Sequence, residues 1–201
     1  MAWMDVPKSG AREGRGAPSA WTVTAVVLAA STLLLYGEGR LWWCECGSPA
    51  LWKGDVWTSH CSQHLSDPYT ISHFSHGLIF FSFFALVRPK WSIAWRFCAS
   101  IFLAAFWEVL ENSPLVIERY RSATMSLDYL GDSIVNSLGD IAACAIGFVV
   151  ARRIGILYAM GLFVALEIVS LLLIKDNLTL NVLMLVWPID AIKQWQTAGH
   201  G

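Results

Sequence analysis

The chain has 201 residues, of which 56% are hydrophobic and only 14% charged, against about 25% charged in an ordinary soluble domain. That deficit, a mean hydropathy of +0.52 and several long apolar runs argue against a soluble fold and for one polytopic membrane domain. The formal net charge of −1 sets nucleic acid aside as a partner, because a phosphate backbone calls for a basic surface.

Residues 1–20 are rich in Gly and Ala and carry Lys8, Arg12 and Arg15 without periodicity. They read as a disordered, basic cytoplasmic tail. Residues 21–196 read as a single all-α domain, a polytopic transmembrane helix bundle with five to six membrane helices. The first apolar run, 21–36, follows basic residues as a signal peptide would. It is long, and no small-residue cleavage site precedes Glu38, so it is expected to stay as an uncleaved helix. An outer polar loop occupies 37–70. The run 73–87 is short for a span and is expected to start near Thr70. Arg88-Pro89-Lys90 is a tight turn. The third span, 91–111, is long enough at about 1.5 Å per residue to cross about 30 Å. Residues 113–127 read as a loop broken by Pro114. The fourth span is 132–151 and the fifth 154–174, interrupted by Glu167. The last apolar run, 178–189, has the length of a short span or a re-entrant segment, and Pro188 marks its end. Trp21, Trp42, Trp43, Trp91, Trp107 and Trp187 lie near the ends of these runs, where an amphipathic indole favours the membrane interface.

Lys and Arg counting sets the orientation. With the N-terminus cytoplasmic, the basic tail, Arg88, Lys90, Arg152 and Arg153 all fall inside. Arg40, Lys53, Arg119, Arg121 and Lys175 fall outside. The polar ends of the second, third and fourth spans then share the outer side. His73 and His76 open the second span, Glu108, Glu111 and Asn112 close the third, and Asp128 and Asp132 open the fourth. Glu167 lies in the outer half of the fifth.

Ionisable groups are costly inside a bilayer, rare there, and usually functional. His73 and His76 are three apart and share a helix face. So do Glu108, Glu111 and Asn112. Asp132, Asn136 and Asp140 step by four and form a polar stripe, which Asp128 continues if the helix starts early. Interhelical hydrogen bonding accounts for Ser133, Asn136 and Ser137 cheaply. It accounts poorly for four to six crowded carboxylates, whose like charges oppose one another. A divalent metal or a bound polar ligand relieves that crowding. Carboxylates favour Mg or Mn, and imidazole favours Zn, Fe or Mn. Glu108, Glu111 and Asp132 are the candidate metal ligands. His73 or His76 is the candidate acid–base group, with Glu108, Asp128 and Asp132 holding metal or activating water. Arg119 and Arg121, beside Tyr120, are placed to clamp a phosphate or carboxylate, or else to meet headgroups or Glu118. Asn136 is a further candidate substrate contact.

Two functions compete. One is an intramembrane enzyme acting on a lipid or lipid-linked headgroup at the outer leaflet. The other is a non-catalytic binding or assembly protein whose polar cluster only orders the bundle. A small carrier with Glu167 and Asp140 at the midplane is a third, and the lack of a visible inverted repeat counts against it. Glu167 is otherwise a partner for the His pair or a helix-packing group.

Cys98 and Cys144 lie in spans and read as packing residues. In an oxidising periplasm Cys61 would pair with Cys44 or Cys46. Cys44, Cys46, His60, Cys61 and His64 also read as a Zn site. Arg96, near the inner end of its span, is expected to snorkel. The run 80–84 reads as lipid-facing or packed surface.

The strings WEVLENS, ERYRSATMSLDYLGDSIVNSLGD, SQHLSDPYTISHFSHG and KDNLTLNVLML resemble an uncharacterised family of small multi-pass membrane proteins of alphaproteobacteria that carries a domain of unknown function. The resemblance covers about residues 38–196. It implies a bacterial inner-membrane location and no established activity. Relatives carry Glu-Asn where this chain has His60-Cys61, so the resemblance implies neither a shared Zn site nor a shared disulfide there. A looser similarity in the order of His76, Glu108, Arg121, Asp128 or Asp132, Asn136 and Gly139 links the chain to VanZ-like membrane proteins and implies a cell-envelope theme.

Overall fold

The structure is a computed structural model that describes residues 18–198. The expected basic tail therefore lies, over 1–17, outside the described residues. Those described are all-helical in eight elements: α1 (Ala20–Gly37), α2 (Thr70–Val87), α3 (Ile93–Glu111), α4 (Pro114–Ala123), α5 (Ile134–Ile154), α6 (Ile156–Ile174), α7 (Leu178–Val186) and α8 (Asp190–Thr197). Among them, α1, α2, α3, α5 and α6 are long and apolar enough to cross a membrane, which makes this a multi-pass membrane protein.

The starts of the helices follow local chemistry. Ser19, Ser92, Ser113 and Ser133 each accept a backbone N–H from three residues on, so hydroxyl caps open α1, α3, α4 and α5. This changes two expectations. Ser113-Pro114 is an N-cap followed by a proline in the first turn, a helix start and not a break, so the expected loop at 113–127 contains α4. Because Ser133 is the cap of α5, Asp132 and Asp128 precede the helix. The expected stripe Asp128–Asp132–Asn136–Asp140 is not continuous.

α7 has nine residues and reaches about 14 Å at 1.5 Å per residue, under half of the hydrocarbon thickness. It packs against α4 instead: the Tyr120 hydroxyl donates to Asn181 Oδ1 at 3.0 Å. Glu167 explains where α7 begins. Its two carboxylate oxygens accept the backbone N–H groups of Leu178 and Thr179 at 3.1 and 2.9 Å. A carboxylate at a helix N-terminus satisfies unpaired donors and meets the positive end of the dipole. Of the two expected roles, Glu167 thus takes the packing one and not the His pair.

α2 and α5 form the central pair and run parallel, with the most extensive contact of any two helices. Gly77 and Gly147 make the approach possible. A Cβ on Gly77 would stand 2.0 Å from the Cys144 carbonyl oxygen, and one on Gly147 would stand 2.0 Å from that of Phe74. Leu78, Phe81, Phe148, Ala151 and Ala159 fill the core below the crossing. Ile101, Ala104, Ala105, Ile141 and Cys144 fill it toward α3. In the run 80–84, Phe81 and Phe84 are buried and Phe83 is exposed. Leu157 and Leu172 are 80% and 78% exposed, an apolar outer face that suits lipid.

The helices alternate in direction, so the long connections 38–69, 112–133 and 175–198 gather at one end. They are tied there by polar contacts: Arg40 Nη1 to the Leu130 carbonyl at 2.6 Å, and Lys193 Nζ to that of Ser122 at 2.5 Å. Among the described residues the other end has short turns, with Arg88, Lys90, Arg152 and Arg153. Arg96 reaches back to that turn and donates to the carbonyls of Pro89 and Trp91 at 2.6 and 3.1 Å.

Candidate functional site

The end that collects the long connections also collects buried charge. His73 sits in the first turn of α2, Glu108 and Glu111 in the last turn of α3, and Asp140 in the second turn of α5. The first turn of a helix offers no intrahelical acceptors to its own N–H groups, so polar residues concentrate there at no packing cost. Glu108 is fully buried, and His73, Glu111, Asp132 and Asp140 are each at most 9% exposed.

His73 is the hub. Its Nδ1 lies 3.1 Å from Glu108 Oε1 and its Nε2 3.9 Å from Asp140 Oδ2. One ligand atom each from His73, Glu108 and Glu111 falls within 4.8 Å of the others. Apart from the imidazole contact, neither carboxylate oxygen of Glu108 is hydrogen-bonded within the protein, and Glu111 Oε2 and Asp140 Oδ1 are equally unbonded. Buried acceptors without donors are uncommon, because each forfeits its hydration.

Asp132 differs from that set. Its Oδ2 accepts from Asn112 Nδ2 at 2.9 Å, its Oδ1 accepts from the Tyr129 hydroxyl at 3.0 Å, and its own N–H donates to Asn112 Oδ1 at 2.6 Å. The structure therefore groups His73, and not Asp132, with Glu108 and Glu111. Asn136 turns the other way: its Nδ2 donates to the His64 carbonyl at 2.7 Å and holds the 38–69 connection on α5. His76 stacks on Phe80, with ring centroids 5.6 Å apart. Asp128 is exposed on the rim. Arg119 Nε donates to the Leu185 carbonyl at 2.8 Å and Arg121 Nε to that of Tyr129 at 2.6 Å. Both arginines brace the connections around the site.

A cavity of about 430 Å³ opens onto this cluster. His73, His76, Glu111, Asp132, Asp140, Tyr69, Tyr120 and Tyr129 form its polar part, and Trp107, Met125, Leu178 and Val182 its apolar part. No Lys or Arg is among the lining residues. The lining thus combines acidic and polar groups with aliphatic and aromatic ones.

Asp67 belongs to the support of this site, and the sequence reading passes over it. Its carboxylate accepts from the backbone N–H of Ser62 at 3.0 Å and of Tyr69 at 2.7 Å, beside Asn136. Burial still holds its carboxyl above the usual carboxylate range. The signal available was Asp-Pro two residues before a helix, an Asx-turn pattern.

Burial also pushes Asp132 up to about 6, against the bonds from Asn112 and Tyr129 that favour its charge. The folded chain therefore keeps a proton that the unfolded chain releases from 3.8 upward. The stability linked to that proton is complete below about pH 4 and lost as pH rises through about 6, a change of up to about 3 kcal/mol. Thermal unfolding in detergent across this window should show the fall, and Asp132→Asn should remove that part of the slope while shifting the curve by a constant amount.

Five membrane-capable helices around a buried imidazole–carboxylate cluster with its own cavity define a polytopic membrane protein with a built polar site. Residues 35–198 match the family described as a protein of unknown function, DUF2585, and the chain belongs to that family. It is 45% identical over 184 residues to a UPF0314 protein of Paracoccus denitrificans, covering 92% of this chain and 94% of the relative. It is 49% identical over 172 residues to one of Rhizobium meliloti, covering 85% and 86%. A Brucella anthropi UPF0314 protein is 43% identical over 189 residues, with 94% of each chain covered. No solved structure matches.

Proposed function

We propose that this protein takes a lipid or lipid-linked molecule into its cavity and acts on the headgroup with the His73–Glu108–Glu111–Asp140 cluster. The observation that carries this reading is the mixed lining of the cavity, in which carboxylates and imidazoles share the wall with Trp107, Leu178 and Val182. That polarity matches an amphiphile lying across a membrane–water boundary. His73, held between two carboxylates, is the acid–base group. Glu108 and Glu111, whose Oε2 atoms have no hydrogen-bond partner in the protein, fit a divalent cation, and a His73 ring nitrogen completes the set. When bound, such an ion would polarise a headgroup oxygen and lower the pKa of a coordinated water. It would also reverse the sign of an acidic lining that otherwise repels phosphate. Asp132, fixed by Asn112 and Tyr129, orients the headgroup.

The site is proposed to face the outside of the bacterial inner membrane, with the N-terminus cytoplasmic. Support comes from Arg88, Lys90, Arg152 and Arg153 at the opposite end of the bundle and from relatives in alphaproteobacteria. The rival reading is a non-catalytic assembly protein. It draws on Arg119 and Arg121, which both brace backbone carbonyls and are not among the residues lining the cavity.

Filling the cavity beside Val182 separates the two. The wild-type chain, purified in mild detergent or nanodiscs, should carry one lipid species enriched over the bulk lipid by mass spectrometry. Val182→Trp should lose that enrichment and keep the helix content. An identical lipid profile in both proteins would overturn the reading.

A further inference from the structure

A second cluster lies outside this site, in the connection between α1 and α2. Cys44 Sγ is 3.2 Å from His60 Nδ1, and Cys46 Sγ is 3.6 Å from His64 Nε2. Ligand atoms of Cys44, Cys46 and His60 all fall within 4.8 Å of one another. We propose that Cys44, Cys46, His60 and His64 form a structural zinc site that clamps the two halves of this connection together.

Two edges are those of a tetrahedral S₂N₂ set, and His64, beside Cys46 but outside the cluster of three, would close in as the fourth ligand. With Zn–S near 2.3 Å and Zn–N near 2.0–2.1 Å, the sulfur–nitrogen edge of a tetrahedron is roughly 3.5 Å, and the two observed edges bracket it. Two cysteine–histidine hydrogen bonds would also sit at these distances. The surroundings of the ligands favour the metal. His64 Nδ1 lies 2.6 Å from the Ala50 carbonyl oxygen. A carbonyl only accepts, so the proton is on Nδ1 and the Nε2 lone pair points at Cys46. Metal-bound histidines are oriented in this way by a backbone carbonyl on the far ring nitrogen. The Cys46 backbone N–H donates to Cys44 Sγ at 3.4 Å and so orients this sulfur beside the other ligands. Trp43 packs edge-on against the His64 ring, with centroids 5.5 Å apart, and fixes its plane. His60 and His64 keep the H-x₃-H spacing of zinc sites.

Cys61 is not part of the set. It lines the other cavity, its sulfur is near the Ser62 hydroxyl, and burial pushes its thiol above the ordinary range. No cysteine is bridged in this structure, so neither expected disulfide is formed here.

The zinc site has a structural purpose that follows from position. Cys44 and Cys46 lie just after Leu41 and Trp42, whose carbonyls accept the N–H groups of Ile134 and Val135. His64 lies just before Asp67, which sets the start of α2. Joining these two strips by a metal holds the loop as a lid frame over the first turns of α2 and α5.

Cobalt(II) substitution tests this on the full chain in detergent, reduced and stripped with a chelator. The wild type should give tetrahedral ligand-field bands and a thiolate-to-cobalt charge-transfer band, both displaced by one equivalent of zinc. Cys44→Ser/Cys46→Ser should lose the charge-transfer band with helix content intact. His64→Gln should keep a charge-transfer band and bind at least about tenfold more weakly. Cys61→Ser should keep the charge-transfer band, since its sulfur supplies no ligand here. Absence of the band in the wild type would overturn the proposal, as would its survival without Cys44 and Cys46 or its loss with Cys61. So would a disulfide that consumes Cys44 or Cys46 in protein isolated without reductant.

Discussion

Gly77→Ala is expected to destabilise the folded chain by about 3 kcal/mol or more, the upper end of what an added methyl group costs in a packed core. The new Cβ would meet backbone, with the Cys144 carbonyl oxygen at 2.0 Å and the Phe148 nitrogen at 2.6 Å. Backbone cannot move aside as a flexible side chain can, so α2 and α5 must separate. His73 lies one turn before Gly77, and Asp140 about two turns before Gly147. The separation therefore also spoils the 3.9 Å approach of His73 to Asp140. Gly147→Ala acts on the same crossing, against Phe74, so the double variant should cost less than the sum. Gly161→Ala is the control: nothing lies within 4 Å of its added Cβ, and removing a helix glycine stabilises by up to about 1 kcal/mol. Thermal unfolding of the four proteins in one detergent decides the matter.

Asp67→Ala should cost about 3 kcal/mol, through a different cause. The carboxylate accepts two backbone N–H groups, from Ser62 and Tyr69, and it is 1% exposed. Truncation leaves both donors buried without acceptors, at about 1–3 kcal/mol each before water enters. Asp67→Asn keeps one carbonyl oxygen and should retain about half of the loss. The damage should be local. Hydrogen exchange is expected to rise over 62–69 and at the first turn of α2, while α6 keeps its protection. Equal exposure of every helix would refute Asp67 as a local brace.

The long spans were legible because hydropathy over about 19 residues is what a bilayer selects. The boundaries of α1, α2, α3 and α6 fall within a few residues of the apolar runs. α4 was not legible, since an amphipathic ten-residue helix gives no hydropathy window and Pro114 reads as a breaker. The meeting of His73 with Glu108 and Glu111 followed in outline from alternation of the spans, which puts these ends at one depth. Which carboxylate joins the imidazole did not follow. It depends on Ser133 capping α5, which leaves Asp132 outside the helix and in the hands of Asn112 and Tyr129. Arg119 and Arg121 look alike in sequence to any phosphate clamp. Their folded contacts, to the carbonyls of Leu185 and Tyr129, show both bracing backbone. Glu167 likewise owes its role to α7, which starts eleven residues later.

The buried carboxylates are proposed to form a working site and to be more than glue for the bundle. Manganese(II) binding to the chelator-treated chain, followed by electron paramagnetic resonance, tests it most directly. A hard ion prefers carboxylate and imidazole and avoids thiolate, so Cys44 and Cys46 do not compete. One saturable manganese per chain is expected, abolished by Glu108→Gln and weakened by Glu111→Gln, with helix content unchanged. No saturable binding, together with a Glu108→Gln chain that melts below the wild type, would make the cluster a packing device and contradict the account.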